Sequence, residues 1–176
     1  LVVLSGLGRE ALPRVGAKAA NFGELAKLAS RSNGAWKVPE GGFAIPFASY
    51  LDHMRRNGLE KGVERLLLDG SLRNDAVKRR AALADLQSKI VAAPVDPFLL
   101  ADVVAAIRAN GKYTRMRFRS STNAEDLAEF DGAGLYSSYT GDPADPKKPV
   151  AEAIARTWAS LWSFRAYEER EYYGID

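Results

Sequence analysis

Lys18 lies at the start of a predicted helix, where a positive charge is unfavourable unless an anion is near. The helix is expected to begin near Gly16, and positions 14–17 offer no Ser, Thr, Asp or Asn as a cap. A lysine in the first turn opposes the helix dipole, and an uncapped turn leaves backbone N–H groups free. A docked phosphate would explain both features. The alternative is an ordinary lysine in solvent.

A second group of positive charges follows one side of a predicted strand. That side carries Tyr113, Arg115, Arg117 and Arg119, whereas Met116 and Phe118 fall on the other side. Arginines on one face repel each other unless negative charge lies opposite. A bound triphosphate would supply that charge, because the planar guanidinium donates two parallel hydrogen bonds to phosphate. The alternative is pairing with the acidic residues of the next loop, namely Glu125, Asp126, Glu129 and Asp131.

Gly132, Ala133 and Gly134 form a short glycine-rich segment between two predicted strands. Glycines let backbone N–H groups approach a ligand closely, although an ordinary hairpin turn has the same composition. No Gly-Lys-Ser or Gly-Lys-Thr follows, and the pattern GxGxxG is absent. The segment is therefore neither a P-loop nor a dinucleotide-binding fingerprint. Alone, it is a weak indication of phosphate binding.

The histidine and the aromatic residues indicate structure rather than chemistry. His53 has no partner at metal-ligand or catalytic-triad spacing, so we expect it at the surface or at a helix cap. Trp158, Trp162 and Phe164 could stack on nucleic-acid bases, but their helical spacing favours the core. A single-stranded RNA binder would also need aromatics on the arginine face of the strand, and Met116 and Phe118 lie opposite.

Helices and short strands alternate along the chain and must position these residues. Strands are predicted over 1–4, 43–45, 113–119 and 135–140, and helices over 16–31, 46–56, 75–91 and 97–109, with one long helix from 149 onward. Asp96 followed by Pro97 is a typical helix start. The pattern predicts an α+β fold, a small mixed sheet with flanking helices, in a single domain over residues 1–176.

Composition narrows the classes of function that remain. The chain of 176 residues has no cysteine, which excludes a disulfide scaffold, an iron–sulfur site and a thiolate zinc site. Its single histidine is too few for a histidine-rich metal site. No apolar run approaches the roughly 20 residues that cross a bilayer, and no signal peptide is apparent. We therefore expect a cytoplasmic protein without a membrane partner. The net charge of +3 permits an anionic ligand but does not require nucleic acid, and none is predicted.

Five segments in order resemble one family, the ATP-binding domain of phosphoenolpyruvate synthase and pyruvate phosphate dikinase. They are VGAKAANFGEL (15–25), VPEGGFAI (38–45), FRSSTNAEDL (118–127), FDGAGLY (130–136) and AIARTWASLWSFRA (153–166). The similarity covers nearly the whole chain, with a less recognisable middle at 58–112. Ala17 stands where the family usually has Gly. Ser138 stands where it often has Thr, which keeps the hydroxyl.

The resemblance implies the first nucleotide-binding subdomain of an ATP-grasp fold. Lys18 and Arg119 would then contact phosphate and act in catalysis. Gly132 and Gly134 would belong to the loop over the phosphates, with Gly134 as its backbone contact, and Ser138 would offer its hydroxyl. The ligand would be ATP with Mg²⁺, whose protein ligands are expected outside this chain, and no metal-binding residue is predicted within it.

The resemblance also implies partners beyond residue 176. We expect a piece of a larger phosphotransferase, with a downstream ATP-grasp subdomain and a swivelling domain that carries a phosphohistidine. That protein would transfer a phosphoryl or pyrophosphoryl group from ATP through the histidine to pyruvate, a glucan or an antibiotic. The piece alone is expected to be inactive. The alternative is a non-catalytic module of the same fold that binds nucleotide or protein, and the sequence of the larger protein would discriminate the two.

Overall fold

The computed structural model describes residues 1–123, 126–127, 130–131 and 134–175. They contain six short strands and nine α-helices. The strands are β1 (Val2–Val3), β2 (Phe43–Ala44), β3 (Met116–Phe118), β4 (Asp126–Leu127), β5 (Phe130–Asp131) and β6 (Tyr139–Gly141). The helices are α1 (Leu12–Val15), α2 (Ala17–Arg31), α3 (Phe47–Arg56), α4 (Glu60–Leu68), α5 (Gly70–Arg73), α6 (Ala76–Ala92), α7 (Pro97–Ala109), α8 (Val150–Ala159) and α9 (Phe164–Tyr173). This mixture of helices and small sheets is consistent with the predicted α+β class.

The chain groups into two compact units. Unit one comprises Leu1–Ser49 and Ser121–Ala133, and unit two comprises Tyr50–Ser120 and Gly134–Asp176. The chain leaves unit two directly after Ser120 and returns to it at Gly134. Within the described residues, no single helix is long and apolar enough to cross a membrane. Helices α6 and α7 meet that length and composition only as a pair, bent by 73°.

Unit one is built around helix α2 and a two-stranded antiparallel sheet. β1 pairs with β2, with Val2 opposite Ala44 and Val3 opposite Phe43. The small core contains Leu7, Ala11, Val15, Ala19 and Ala44. Alanines dominate the buried face of α2, so neighbouring backbone approaches the helix closely. β4 and β5 form a second antiparallel pair in this unit.

Unit two has a larger core around helix α6. Leu83, Leu86 and Ile90, the stripe expected from the sequence, are buried, and α6 packs against α4, α5, α8 and α9. Asp75 caps α6 by accepting hydrogen bonds from two first-turn N–H groups. Asp96 caps α7 by accepting from Leu99 N–H at 3.0 Å, as the sequence predicts. Helices α4 and α5 were not predicted, although Leu59, Val63 and Leu66 lie at helical spacing and pack into this core.

His53 is buried and not at the surface, so that expectation is wrong. Only 3% of the residue is exposed. Its Nε2 donates a hydrogen bond to the Ile90 carbonyl oxygen at 3.1 Å, and its ring lies 4.9 Å from that of Trp158. Burial lowers the pKa of the His53 imidazole, because the charged form loses its hydration. The residue fastens α3 to α6, which fits a structural role.

The long helix expected from residue 149 is also wrong. Helix α8 ends at Ala159, a short 3₁₀ turn follows over Ser160–Trp162, and α9 starts afresh at Phe164. Ser163 has extended backbone dihedrals, and its Oγ accepts a hydrogen bond from Ala166 N–H at 3.2 Å. A serine that caps a new helix in this way ends the preceding one.

Candidate functional site

The start of α2, which carries Lys18, is capped by residues distant in the sequence. Ser121 Oγ accepts a hydrogen bond from Ala19 N–H at 2.9 Å. The carbonyl oxygen of Thr122 accepts one from Ala17 N–H at 2.8 Å. The prediction of free N–H groups in this turn is therefore wrong for Ala17 and Ala19. The caps come from the segment that follows the arginine strand, so no search within residues 14–17 could find them.

Gly16 allows the Ser121 backbone to approach the start of α2. Its φ is +83° with ψ 170°, a region essentially restricted to glycine. A Cβ at this position would lie 2.1 Å from the Ser121 carbonyl oxygen, well inside van der Waals contact. Gly16 therefore turns the chain into α2 and leaves room for the Ser121 backbone. Gly16 and Ser121 are structural partners that sequence reasoning missed, although both lie inside the recognised segments.

Lys18 itself lies in the first turn of α2 and is half-buried. Ala17 and Ala19, its neighbours in the sequence, are buried. The capped first turn fixes the backbone that carries the Lys18 side chain. Its predicted contact with phosphate stays a prediction.

In unit two, strands β3 and β6 place the predicted arginine row on an exposed face. Arg115, Arg117 and Arg119 are exposed, whereas Met116 and Phe118 between them are partly buried, as the alternation predicts. The other face of the pair packs against helix α8. A Cβ at Gly141 would lie 2.8 Å from the Phe118 ring and 3.1 Å from Val150 Cα. Helix α8 thus covers the face opposite the arginines.

The strand register brings two of the predicted site residues to one face. Arg117 lies opposite Thr140, and Phe118 lies opposite Tyr139. Residues two apart on a strand share a face. Arg119 directly follows β3 and Ser138 directly precedes β6, so the alternation of the strands, continued by one residue, puts both on the face of the Arg117–Thr140 pair. Arg117 Nη1 donates a hydrogen bond to Thr140 Oγ1 at 3.2 Å.

This face is positively charged within the described part of unit two. There, no carboxylate oxygen lies within 4.0 Å of the guanidinium of Arg115, Arg117 or Arg119. Asp142 follows β6 closely, but its Oδ1 accepts a hydrogen bond from Ala144 N–H at 2.9 Å and so serves its own loop. The acidic residues expected as partners, Glu125, Asp126, Glu129 and Asp131, have side chains outside the described residues. Arginines and hydroxyls on one face suit a phosphate-bearing anion.

The glycine-rich segment is only partly described. Gly132 lies outside the described residues. Gly134 is exposed with φ +78°, and a Cβ built on it would meet nothing within 4 Å. Across the described residues, no three His, Cys, Asp or Glu side chains are grouped so that they could hold a metal ion.

Comparison with known proteins identifies relatives along nearly the whole chain. Residues 12–176 match the family model described as "Pyruvate phosphate dikinase, AMP/ATP-binding domain". A phosphoenolpyruvate synthase from Aeropyrum pernix is 29% identical over 98% of this chain and 21% of its own length. A rifampicin phosphotransferase from Streptomyces sp is 30% identical over 100% of this chain and 19% of its own length. A probable phosphoenolpyruvate synthase from Methanothermobacter thermautotrophicus is 29% identical over 97% of this chain and 24% of its own length. The chain thus spans about a fifth of the length of these curated relatives.

Proposed function

Because this chain belongs to the family of the pyruvate phosphate dikinase AMP/ATP-binding domain, we propose that it binds the phosphates of ATP through Lys18, Arg119, Gly132, Gly134 and Ser138. The fold we propose is the first subdomain of an ATP-grasp module, within one domain that spans residues 1–176. The larger protein would be a phosphotransferase. The observation that carries the proposal is the exposed face of β3 and β6, where Arg117 lies opposite Thr140 and which the strand alternation extends to Arg119 and Ser138.

The start of α2 supports the same function from unit one. Ser121 follows Arg119 by two residues, so one short segment supplies both an exposed arginine and the cap of the helix that carries Lys18. A capped first turn holds the Lys18 backbone in one position. Fixed cations stabilise a phosphate more effectively than mobile ones, because they need not reorganise when the ligand binds.

Each residue has a defined part in this proposal. The Arg119 guanidinium donates parallel hydrogen bonds to two phosphate oxygens, and the Lys18 ammonium acts as a point charge. The Ser138 hydroxyl donates to a further oxygen, and Gly134 offers its backbone N–H. Together they reduce the negative charge that opposes attack on a phosphoryl group. Magnesium would supply further neutralisation of the phosphate charge, and we expect its protein ligands in another part of the larger protein.

We propose that the larger protein passes the phosphoryl or pyrophosphoryl group through a carrier histidine on another domain. His53 does not serve as that carrier, because it is buried and fastens α3 to α6. The acceptor is pyruvate or a related molecule. The names of the relatives, phosphoenolpyruvate synthase and rifampicin phosphotransferase, show that acceptors differ among proteins that share this domain. Acceptor choice therefore lies in other domains, and residues 1–176 serve the nucleotide.

Isothermal titration calorimetry of the 176-residue chain with MgATP at low ionic strength tests this function. We expect weak, saturable binding without ATP consumption, because the second wall of the site and the metal ligands belong elsewhere. Arg119→Ala should remove the binding heat, since a hydrogen bond to a charged group contributes about 1.5–3 kcal/mol, or a factor of roughly 10–100. The matched control is Arg165→Ala, which removes an exposed arginine of α9.

Each result of the calorimetry tests a different part of the proposal, namely nucleotide binding, the completeness of the site and the role of Arg119. Absence of binding by the unaltered chain, or unchanged binding by Arg119→Ala, would contradict the nucleotide function. Micromolar affinity, or ATP consumption that survives purification, would show that the site is complete within residues 1–176. A large fall in the melting temperature of Arg119→Ala with unchanged affinity would make Arg119 a structural residue.

A further inference from the structure

The exposed face of β3 and β6 carries an arginine that the recognised segments do not include. Arg117 lies one position before the segment FRSSTNAEDL, on the same face as Arg119. Its side chain is exposed, and Nη1 donates to Thr140 Oγ1 across the strand pair at 3.2 Å. This hydrogen bond orients the Arg117 guanidinium toward Thr140.

The hydrogen-bond partner of Arg117 is a threonine hydroxyl, and this decides whether the guanidinium keeps its charge. A carboxylate opposite Arg117 would both orient and neutralise the guanidinium. A threonine hydroxyl orients it and leaves its charge intact. One Nη1 hydrogen bond to Thr140 also leaves the remaining guanidinium N–H groups to donate elsewhere, because arginine has five such donors. An oriented, charged donor set of this kind suits an anion in solution better than a structural ion pair.

Spacing places the two arginines within reach of one polyphosphate. Cα atoms two residues apart on a strand are separated by about 6.6–6.8 Å. Successive phosphorus atoms of a triphosphate are about 3 Å apart, so adjacent arginines on the face can hold different phosphate groups. The two guanidinium charges repel each other at this separation, and a bound anion relieves that repulsion. The hydroxyls of Ser138 and Thr140 lie on the same face and complete the set.

We propose that Arg117, oriented by Thr140, is a second phosphate-binding arginine, which holds a different phosphate group of the nucleotide from the one that Arg119 holds. This inference rests on the proposed ATP-binding function. Arg117 touches the ligand directly, and Thr140 is a positioning residue that acts through Arg117.

Titration with MgATP and with inorganic tripolyphosphate, each at low ionic strength, tests the proposal. Arg117→Ala should bind both about tenfold more weakly, and Arg117→Lys should recover part of the loss as a point charge. Thr140→Val should weaken binding by a smaller factor, whereas Thr140→Ser, which keeps the hydroxyl, should bind like the unaltered chain. Arg165→Ala is the control for a simple loss of one positive charge, and it should change neither affinity detectably.

The controls separate this inference from the function on which it rests. If the unaltered chain binds neither probe, the proposed function fails and this inference fails with it. If the chain binds ATP and Arg119→Ala loses that binding while Arg117→Ala keeps it, the function stands and the role of Arg117 is overturned. An equal loss in Arg165→Ala would overturn it as well, because net charge alone would then explain the effect. We expect the melting temperatures of all these variants to lie within a few degrees of one another.

Discussion

Ser121 Oγ accepts a hydrogen bond from the backbone N–H of Ala19 at 2.9 Å, across 102 positions of sequence. The bond attaches the segment after the arginine strand to the first turn of α2. The Thr122 carbonyl oxygen accepts from Ala17 N–H in the same turn. A helix start that has no local cap is thereby satisfied from a distant part of the chain. The position of Lys18 depends on this attachment.

Ser121→Ala should destabilise unit one by removing the acceptor for Ala19 N–H. Replacing a capping serine by alanine costs about 1 kcal/mol in the free energy of unfolding. Chemical denaturation measures the change. Ser30→Ala on the same helix is the control, because Ser30 Oγ only donates to the Lys27 carbonyl oxygen at an exposed site. Equal stability of the two variants would contradict a capping role for Ser121.

Gly16→Ala should be more damaging than Ser121→Ala. A side chain at φ +83° and ψ 170° is strained by about 1–3 kcal/mol, and the new Cβ would also collide with the Ser121 carbonyl oxygen. We expect a loss of about 2–4 kcal/mol in unfolding free energy. Gly62→Ala in α4 is the matched control, since a Cβ there meets nothing within 4 Å. That control should be neutral or slightly stabilising, because alanine favours helix.

His53 should make stability depend on pH below neutrality. Burial lowers the pKa of His53 in the folded state relative to about 6.5 in the unfolded chain. The unfolded state therefore binds more protons in the window beneath 6.5, so the free energy of unfolding falls as the pH drops through it. Urea denaturation at pH 7.5 and at pH 5.5 should show that fall. In His53→Gln, which cannot titrate, the difference between the two pH values should shrink, and an unchanged difference would assign it to other groups.

Gly134→Val should impair nucleotide binding more than folding. The site has φ +78°, so valine brings backbone strain, and its Cβ would meet nothing within 4 Å. Gly58→Val matches that strain, because Gly58 has φ +65° and open space as well. The two variants should lose similar stability, by about 1–3 kcal/mol. Only Gly134→Val should lose ATP affinity, and equal affinities in the two variants would remove Gly134 from the site.

Sequence patterns among neighbouring residues were enough to predict much of unit two. Asp96 before Pro97 marked the start of α7, the buried stripe of α6 followed from helical spacing, and the alternation in 113–119 gave the exposed face of β3. Each of these features depends on residues close together in the sequence. The alternation of helices and short strands predicted the α+β class. The five ordered segments predicted the family, and the family match over residues 12–176 confirms it.

The predictions that were wrong concern features that depend on contacts between residues distant in the sequence. The buried position of His53 requires the Ile90 carbonyl and the Trp158 ring, which lie 37 and 105 positions away. The caps of α2 come from Ser121 and Thr122, which local inspection around Gly16 cannot reveal. The break before α9 was open to prediction, because Ser163 followed by a fresh helical segment is a typical N-cap. The roles of Lys18, Arg119, Gly132, Gly134 and Ser138 stay predictions.

The most direct test of the account is a map of where MgATP binds, by titration of the isotopically labelled chain followed through backbone amide chemical shifts. This method detects weak binding, which we expect of the isolated chain. We predict saturable shifts that cluster at the first turn of α2 around Lys18, at Arg117 and Arg119, and from Gly134 to Thr140. The same titration with Arg119→Ala should shift little. Shifts that cluster on α4 and α5, or no shifts at millimolar MgATP, would contradict the account.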